Sequence, residues 1–572
     1  MRNLLSAARG ETPCDLVIRG GRVANVLSME YETEDIAIKD GIIVGLGAGY
    51  SGAEIVDAAG SVLMPGMIDG HLHIESTMLT PAAFASVVVP LGTTTVMPDP
   101  HEIANTCGVK GIEFMWRDSL RTPLDSYFAA PSCVPASGFE TPYQEIGALR
   151  VMECFDRGLC THLGEMMNFP GVISGDGDVW AKIAGARGLV RTAHAPNVSG
   201  RDLCAYLISG CDGDHESNFA EEALEKLRRG MWVMLREGAT ESNMGDLLPM
   251  ILADEARFSR CMAVSDDLTA DYILSYGHMD HKIRLMVEMG VRPLIAAAMV
   301  TINPANYFRF WDRGAIAPGR MADIVMVSSL EECRAIKVWK HGELVAENGR
   351  ALFTADMPSK IDLPRSRGLK TPPCEASFRI QERPGRDIRV ISAKPGSVLT
   401  KELIVHPTVR DGLVVSDVER DILKLVVMEK NRGTGRTVTG FVNGFGLKRG
   451  AIGSSVAHDA HNFIVMGADD ESIMTALKYL AEHGGGLVAA DKDEVISSLQ
   501  LPIGGLMSEL DPHDLSRAMT EITKTAQDRL GAAITQPFMT MSFLSLSVIP
   551  ELKLTDQGYV KISEGGTLGL FV

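Results

Sequence analysis

Apolar runs recur along this chain with two different rhythms. Near the start, Asp15 to Ala24 (DLVIRGGRVA), Asp35 to Leu46 (DIAIKDGIIVGL) and Glu54 to Leu63 read as short strands parted by glycine turns, with a hairpin-like Lys39-Asp40-Gly41. The same pattern returns at Ala322 to Val327 and Ile336 to Val345, so residues 1–65 and 310–370 are expected to build one discontinuous β-sandwich domain. Between them lie eight apolar runs ending on polar or turn residues: Met67 to Asp69, Thr93 to Met97, Ser126 to Ala130, Thr161 to Glu165, Leu189 to His194, a faint one near Cys211, Trp232 to Arg236, and Met262 to Ser265. Helical patterns such as Phe219 to Arg229 fill the gaps. Strand alternating with helix at this spacing predicts an α/β chain, a (β/α)8 TIM-like barrel over residues 66–309. After about Lys370 the sequence turns to proline and charge (TPPCEASFRIQERPGRD), as a linker or domain edge would. Residues 375–572, with helical Ser472 to Glu482 ahead of Gly484-Gly485-Gly486, predict an additional α+β C-terminal domain of open topology.

At 572 residues the chain exceeds one ordinary core, in keeping with several domains. Its formal net charge of −18 argues against nucleic acid as a partner, because phosphate binding needs a basic face. A neutral small molecule is the easier ligand. No apolar stretch resembles a signal peptide or a membrane span, so the expected setting is soluble and cytoplasmic, with no membrane partner. The ten cysteines, among them Cys107, Cys133, Cys160 and Cys261, form no C-x-x-C pair, which fits reduced thiols used as core filler.

The sharpest chemical signal is His71-Leu72-His73, directly after the run Val62 to Ile68 and a turn at Asp69-Gly70. On a strand, residues i and i+2 point the same way, so two imidazoles can reach one metal. Four more candidate ligands follow at strand ends: Glu165, His194, His215 and Asp266. Strand ends are where a barrel keeps its active site. Four histidines and two carboxylates make a site for two divalent ions, with Glu165 able to bridge them through its two oxygens.

At these residues the chain resembles the amidohydrolase superfamily, and within it the adenine deaminases. The resemblance rests on MPGMIDGHLHIESTMLTP, TTTVMPDPHEIAN, GEMMNFPGV, TAHAPNVSG, DHES, SDDL, TINPANYF and GAIAPGRMADIV, and covers nearly the whole chain. HIES, DPHEIAN and GEMMNFPGV are specific to the deaminases, whereas H-x-H and APGxxAD mark the superfamily. Thr77 and Asn197 depart from the usual serine and glycine. The resemblance implies His71, His73 and Asp266 on one ion, His194 and His215 on the other, and Glu165 between them. It implies manganese ahead of iron or zinc, although ligand type alone does not choose. It also implies hydrolysis of adenine to hypoxanthine and ammonia by a metal-bridging hydroxide, in purine salvage and adenine catabolism. The expected assembly is a homo-oligomer, a dimer.

Deamination needs a proton for a ring nitrogen and another for the departing amine. Asp266 suits the amine, and Glu102 or His101 the ring. Asp99, His101 and Glu102, at the end of the second strand, are placed to hold the purine, or equally to form a network that orients the metal-bound histidines. Asp267 resembles a residue pairing with a purine nitrogen, and can equally cap the next helix. Ser132, beside Cys133, is placed against the substrate or simply shapes the pocket; Cys133 lacks an assignable base for a nucleophilic role. In the C-terminal domain His458 and His461 form an HxxH that is either structural or turned toward the active site. Two rival functions are a cyclic amidohydrolase of the dihydropyrimidinase type, which carries a lysine where Glu165 stands, and a non-catalytic scaffold of the same fold.

Overall fold

The computed structural model describes residues 1–239, 242–355, 369–370, 372–394 and 397–572. At its centre is a run of parallel strands whose order returns to its start. Met67–His73 pairs with Thr93–Pro98, and that strand with Asp125–Ser126. The chain then re-forms as Ala129–Ala130, from which parallel pairing passes through His162–Met166, Arg191–Ala193, Gly213–Asp214 and Trp232–Arg236 to Cys261–Val264. One residue later Asp266–Asp267 pairs in parallel with Met67–His73. Helices such as Pro81–Val88, Gly200–Ile208, Ala220–Arg228 and Met244–Ala253 carry the chain between strands, as parallel pairing requires. Every residue of Met67–His73, Thr93–Pro98 and His162–Met166 is buried, which is why these segments read as nearly continuous apolar runs.

The sequence suggests a turn at Asp69-Gly70, but the strand runs unbroken to His73. Asp69 is a buried strut between the first and last strands. Its carboxylate accepts from the backbone N–H of Ser265 and of His71 and pairs with His278 at 3.0 Å. A Cβ on Gly70 would meet Met262 Sδ at 2.9 Å, so glycine is what lets that strand pass. The run Glu54 to Leu63 likewise divides into Gly52–Asp57 and Val62–Pro65, because the chain turns between them with Gly60 at φ 82°. The faint sixth strand is the two-residue Gly213–Asp214.

Both flanking segments join one sheet. Cys14–Asn25, Glu30–Lys39, Ile42–Leu46, Gly52–Asp57 and Val62–Pro65 share it with Ile324–Val327, Ala335–Lys340, Glu343–Glu347 and Arg350–Ala351. The seam is the antiparallel pair Val62–Pro65 with Ile324–Val327. The end of this segment near residue 370 lies outside the described residues.

In the C-terminal part, Ile388–Ala393, Thr400–Val405, Leu423–Met428, Thr437–Asn443, Ala451–Ser454, Phe463–Gly467, Gly486–Asp491 and Glu494–Gln500 form an eight-stranded sheet. The helix Asp470–His483 packs Ile473, Ala476, Leu477 and Leu480 onto it, capped by the Asp469 carboxylate accepting from Ser472 N. The proline- and charge-rich stretch expected as linker already belongs to this fold at Phe378, whose buried ring packs under that helix, and at Ile380–Gln381, which pairs with Leu413–Val415. Buried apolar side chains run without a break from the central strands into this part, from Leu163 and Ile103 to Ile464 and Leu506. Among the described residues no helix is long and apolar enough to cross a membrane.

Candidate metal centre and active site

The polar residues that gather here stand at one end of the central strands. His71 and His73 end the first, Asp99 follows the second, and Glu165 lies near the end of His162–Met166. His194 and His215 come directly after Arg191–Ala193 and Gly213–Asp214, and Asp266 follows Cys261–Val264 across Ser265. These groups collect at the C-terminal ends of the strands, where the parallel run opens.

Glu165 sits at the focus, with a different histidine pair at each oxygen. Oε1 lies 3.9 Å from His71 Nε2 and 3.4 Å from His73 Nε2. Oε2 lies 2.7 Å from His194 Nδ1 and 3.2 Å from His215 Nε2. Asp266 Oδ1 stands 3.6 Å from His71 Nε2 and 3.2 Å from His73 Nε2. Two ligands on one tetrahedral ion with bonds near 2.1 Å are separated by about 3.4 Å. Most of these spacings match that value, and several are too long for hydrogen bonds. His71 Nε2, which faces both carboxylates, is buried without a hydrogen-bond partner. The residues therefore fit divalent cations by donor type, spacing and unmet bonding capacity.

Supporting contacts fix the ligands. His73 Nδ1 donates to the Asp99 carbonyl at 2.9 Å, which turns Nε2 toward the centre. Asp99 Oδ2 accepts from Glu165 N at 2.9 Å, and Ser132 Oγ donates to the Glu165 carbonyl at 2.5 Å. Asp99 and Ser132, expected against substrate, are thus both occupied in holding Glu165. Arg236 Nη1 donates to Asp266 Oδ2 at 2.7 Å and also pairs with Glu216. Burial alone would raise the Asp266 carboxyl, but the Arg236 charge and the His71 and His73 contacts hold it well below the usual range. Glu165 behaves alike: burial is outweighed by His194, His215 and His73.

A second polar group lies beside the first. His101 Nδ1 is 3.6 Å from both Asp99 Oδ1 and Glu165 Oε1. Glu102 turns away from Glu165. Its Oε1 lies 3.1 Å from Ser76 Oγ and 3.2 Å from His458 Nδ1, and its Oε2 lies 3.9 Å from His461 Nε2. Ser76 Oγ also donates to Asp267 Oδ1. Asp267 does not cap the next helix, Ala270–Tyr276, whose N-cap residue is Thr269. Burial pushes Glu102 above the usual carboxylate range, and Glu75 beside it to about 8. It also raises the Cys133 thiol, against a thiolate there.

Sequence reasoning missed Ser76, Glu75, Arg236 and Glu216. Ser76 and Glu75 were visible as part of HIES, and Glu216 as the residue after His215. Arg236 carried no signal beyond a charge ending an apolar strand.

Residues 62–345 match the amidohydrolase family, and residues 397–565 match the adenine deaminase C-terminal domain. An adenine deaminase 2 of Carboxydothermus hydrogenoformans is 41% identical over 98% of each chain. An adenine deaminase of Methanothrix thermoacetophila is 42% identical over the full length of both. Among solved structures, a β-aspartyl dipeptidase from Fervidobacterium islandicum AW-1 is 17% identical, with a TM-score of 0.45 over 61% of this chain and 100% of that one.

Proposed function

The chain belongs to the adenine deaminase family of the amidohydrolases, and from that membership we propose how its own residues carry the reaction. It is a hydrolase acting on adenine: water adds at the carbon bearing the amino group, ammonia leaves, and hypoxanthine remains.

The observation that carries the assignment is Glu165 with one oxygen toward each histidine pair. His71, His73 and Asp266 would hold one divalent ion and His194 and His215 a second, with Glu165 placed to serve both. When bound, such ions supply Lewis acidity and a nucleophile usable at neutral pH. Manganese, iron and zinc all accept this nitrogen and oxygen set, with manganese the first choice to test.

Asp266 is ionised and aimed by Arg236, so its inner oxygen accepts a proton from water and returns one to the departing amine. Glu102 serves the ring nitrogen, because burial raises the proton affinity of its carboxyl above that of an ordinary glutamate. His101, between Asp99 and Glu165, orients the carboxylates. The parallel order that returns to its start, with all six ligands at one strand end, supports reading residues 66–309 as a (β/α)8 barrel. Residues 1–65 with 310–370, and 375–572, are then its two attached domains.

The test is ammonia release from adenine, cytosine, guanine and adenosine in parallel by protein reconstituted with Mn2+, Fe2+ or Zn2+. Adenine turned over no faster than the others would sink the proposal.

A further inference from the structure

The C-terminal part places two imidazoles beside Glu102, on the helix His101–Cys107 that follows the second central strand, and all three groups keep one buried polar atom unused. Glu102 Oε2, His458 Nε2 and His461 Nε2 have no hydrogen-bond partner. His458 is 3% exposed, His461 0% and Glu102 1%. Leaving one such atom unmet costs about 1–3 kcal/mol, so three of them in one cluster point to a missing ligand.

The protonation of His461 decides which kind. Its Nδ1 accepts from the backbone N–H of Ala457 at 3.2 Å. A backbone N–H can only donate, so Nδ1 is the acceptor nitrogen and the proton sits on Nε2. A neutral imidazole ligates a metal through its unprotonated nitrogen, and here that nitrogen is spent on the backbone. The free atom of His461 is therefore an N–H donor, not a cation ligand. His458 is fixed as well. Its backbone N–H donates to the Ser542 carbonyl at 3.0 Å, and its ring stacks on Phe543 at 4.8 Å between centroids. With Nδ1 turned to Glu102 at 3.2 Å and Asp459 Oδ1 at 3.7 Å, its Nε2 is left free.

A cavity of about 460 Å³ lies next to the residue that anchors His458: Ser542, whose carbonyl accepts from His458 N, lines it together with Val456 and Phe538 of the C-terminal part and Met78 and Thr269 of the central part.

We infer that the pocket for the purine ring is composite: the C-terminal domain supplies His458 and His461, which meet the ring edge together with Glu102 of the helix after the second central strand. A heteroaromatic base offers in-plane acceptor nitrogens for His461 Nε2–H and an N–H for an imidazole nitrogen or carboxyl oxygen. The inference rests on the adenine reading above, and gives the C-terminal domain a part in holding substrate.

The experiment measures hypoxanthine affinity, KM, kcat, thermal midpoint and metal content for His461→Leu, His458→Leu and His461→Gln in the Mn2+-loaded full chain. Each leucine variant is expected to raise KM and the hypoxanthine Kd by about ten- to a hundredfold with metal content unchanged, the size of one lost buried hydrogen bond. His461→Gln, which restores an N–H near Nε2, is expected to recover most of that loss. Leucine variants with wild-type KM and Kd overturn the composite pocket, whatever their thermal midpoint. So does the loss of a bound ion on His461→Leu, which would make the group a cation site. Failure of the wild type to bind hypoxanthine or deaminate adenine overturns the parent reading instead.

Discussion

Glu165 and Glu102 are the same residue type, both buried, and their surroundings drive them in opposite directions. Glu165 faces four imidazoles, which hold its carboxyl far down against the cost of burial. Glu102 faces a serine hydroxyl, a second carboxylate and two imidazoles of another domain, and burial pushes it up. A permanent anion can share itself between cations, whereas a carboxyl of raised proton affinity can take up a proton and pass it to a ring nitrogen. The difference assigns the two roles within one site.

The largest effect should come from removing what Glu165 holds. Chelation is expected to abolish turnover, with two ions per chain restoring it; full activity at one ion by elemental analysis would break the paired arrangement. Glu165→Gln should weaken metal retention by about 10- to 100-fold, since an amide bridges cations poorly. If that variant keeps two ions and turns over within about tenfold of wild type, the carboxylate is not the bridge.

Next comes Asp266→Asn, expected near the upper end of about 10²–10⁴-fold in kcat with hypoxanthine affinity retained. Asparagine is the right probe because Asp266 has φ 60°, a left-handed conformation that asparagine tolerates and alanine does not. Asparagine also keeps one oxygen to offer an ion on the His71 and His73 side while losing the ability to carry a proton. A milder loss with both ions bound would move proton transfer to Glu102 or His101. For Glu102→Gln the expected cost is about 10²-fold in kcat with metal content unchanged. A fall in metal content instead would mean that Glu102 belongs with Glu165 and the comparison fails.

The ligand set was readable in the sequence for a physical reason. Donors sit at strand ends, strands are short apolar runs, and period-two spacing puts His71 and His73 on one side. Asp69 was misread as a turn because aspartate before glycine is ordinary turn chemistry, and only the strand pairing reveals its bonds to Ser265 and His278. The Glu102 group was visible only in halves. HxxH and DPHEIAN both stood out, but nothing local says that residues so far apart in the chain share one pocket. Arg236 stayed hidden because a lone basic residue after WVML reads as a solvated strand end, until Asp266 and Glu216 are found against it.

The smallest effect on turnover, and the sharpest on stability, concerns a third buried glutamate. Burial, reinforced by the Asp459 charge, pushes Glu140 from its ordinary 4.5 up to about 8. Its Oε1 accepts from Ser137 N at 3.1 Å and Ser547 Oγ at 2.9 Å, tying the central strands' loop to the C-terminal part. The folded chain holds this proton more tightly than the unfolded chain. Its contribution is therefore fully present below pH 4.5 and is lost as the pH rises through about 8. The cumulative loss is on the order of 5 kcal/mol, because each tenfold gain in proton affinity on folding is worth about 1.4 kcal/mol. Glu140→Gln keeps the accepting oxygen and puts an N–H2 where the protonated oxygen was, without a titrating group. The variant should therefore match wild type in thermal midpoint near pH 5 and exceed it increasingly toward pH 8, with kcat unchanged. A midpoint difference that stays flat between pH 5 and 8 would show that Glu140 stores no proton. Burial would then not raise a glutamate's proton affinity in this protein, and the proton-transfer role proposed for Glu102 would lose its physical basis.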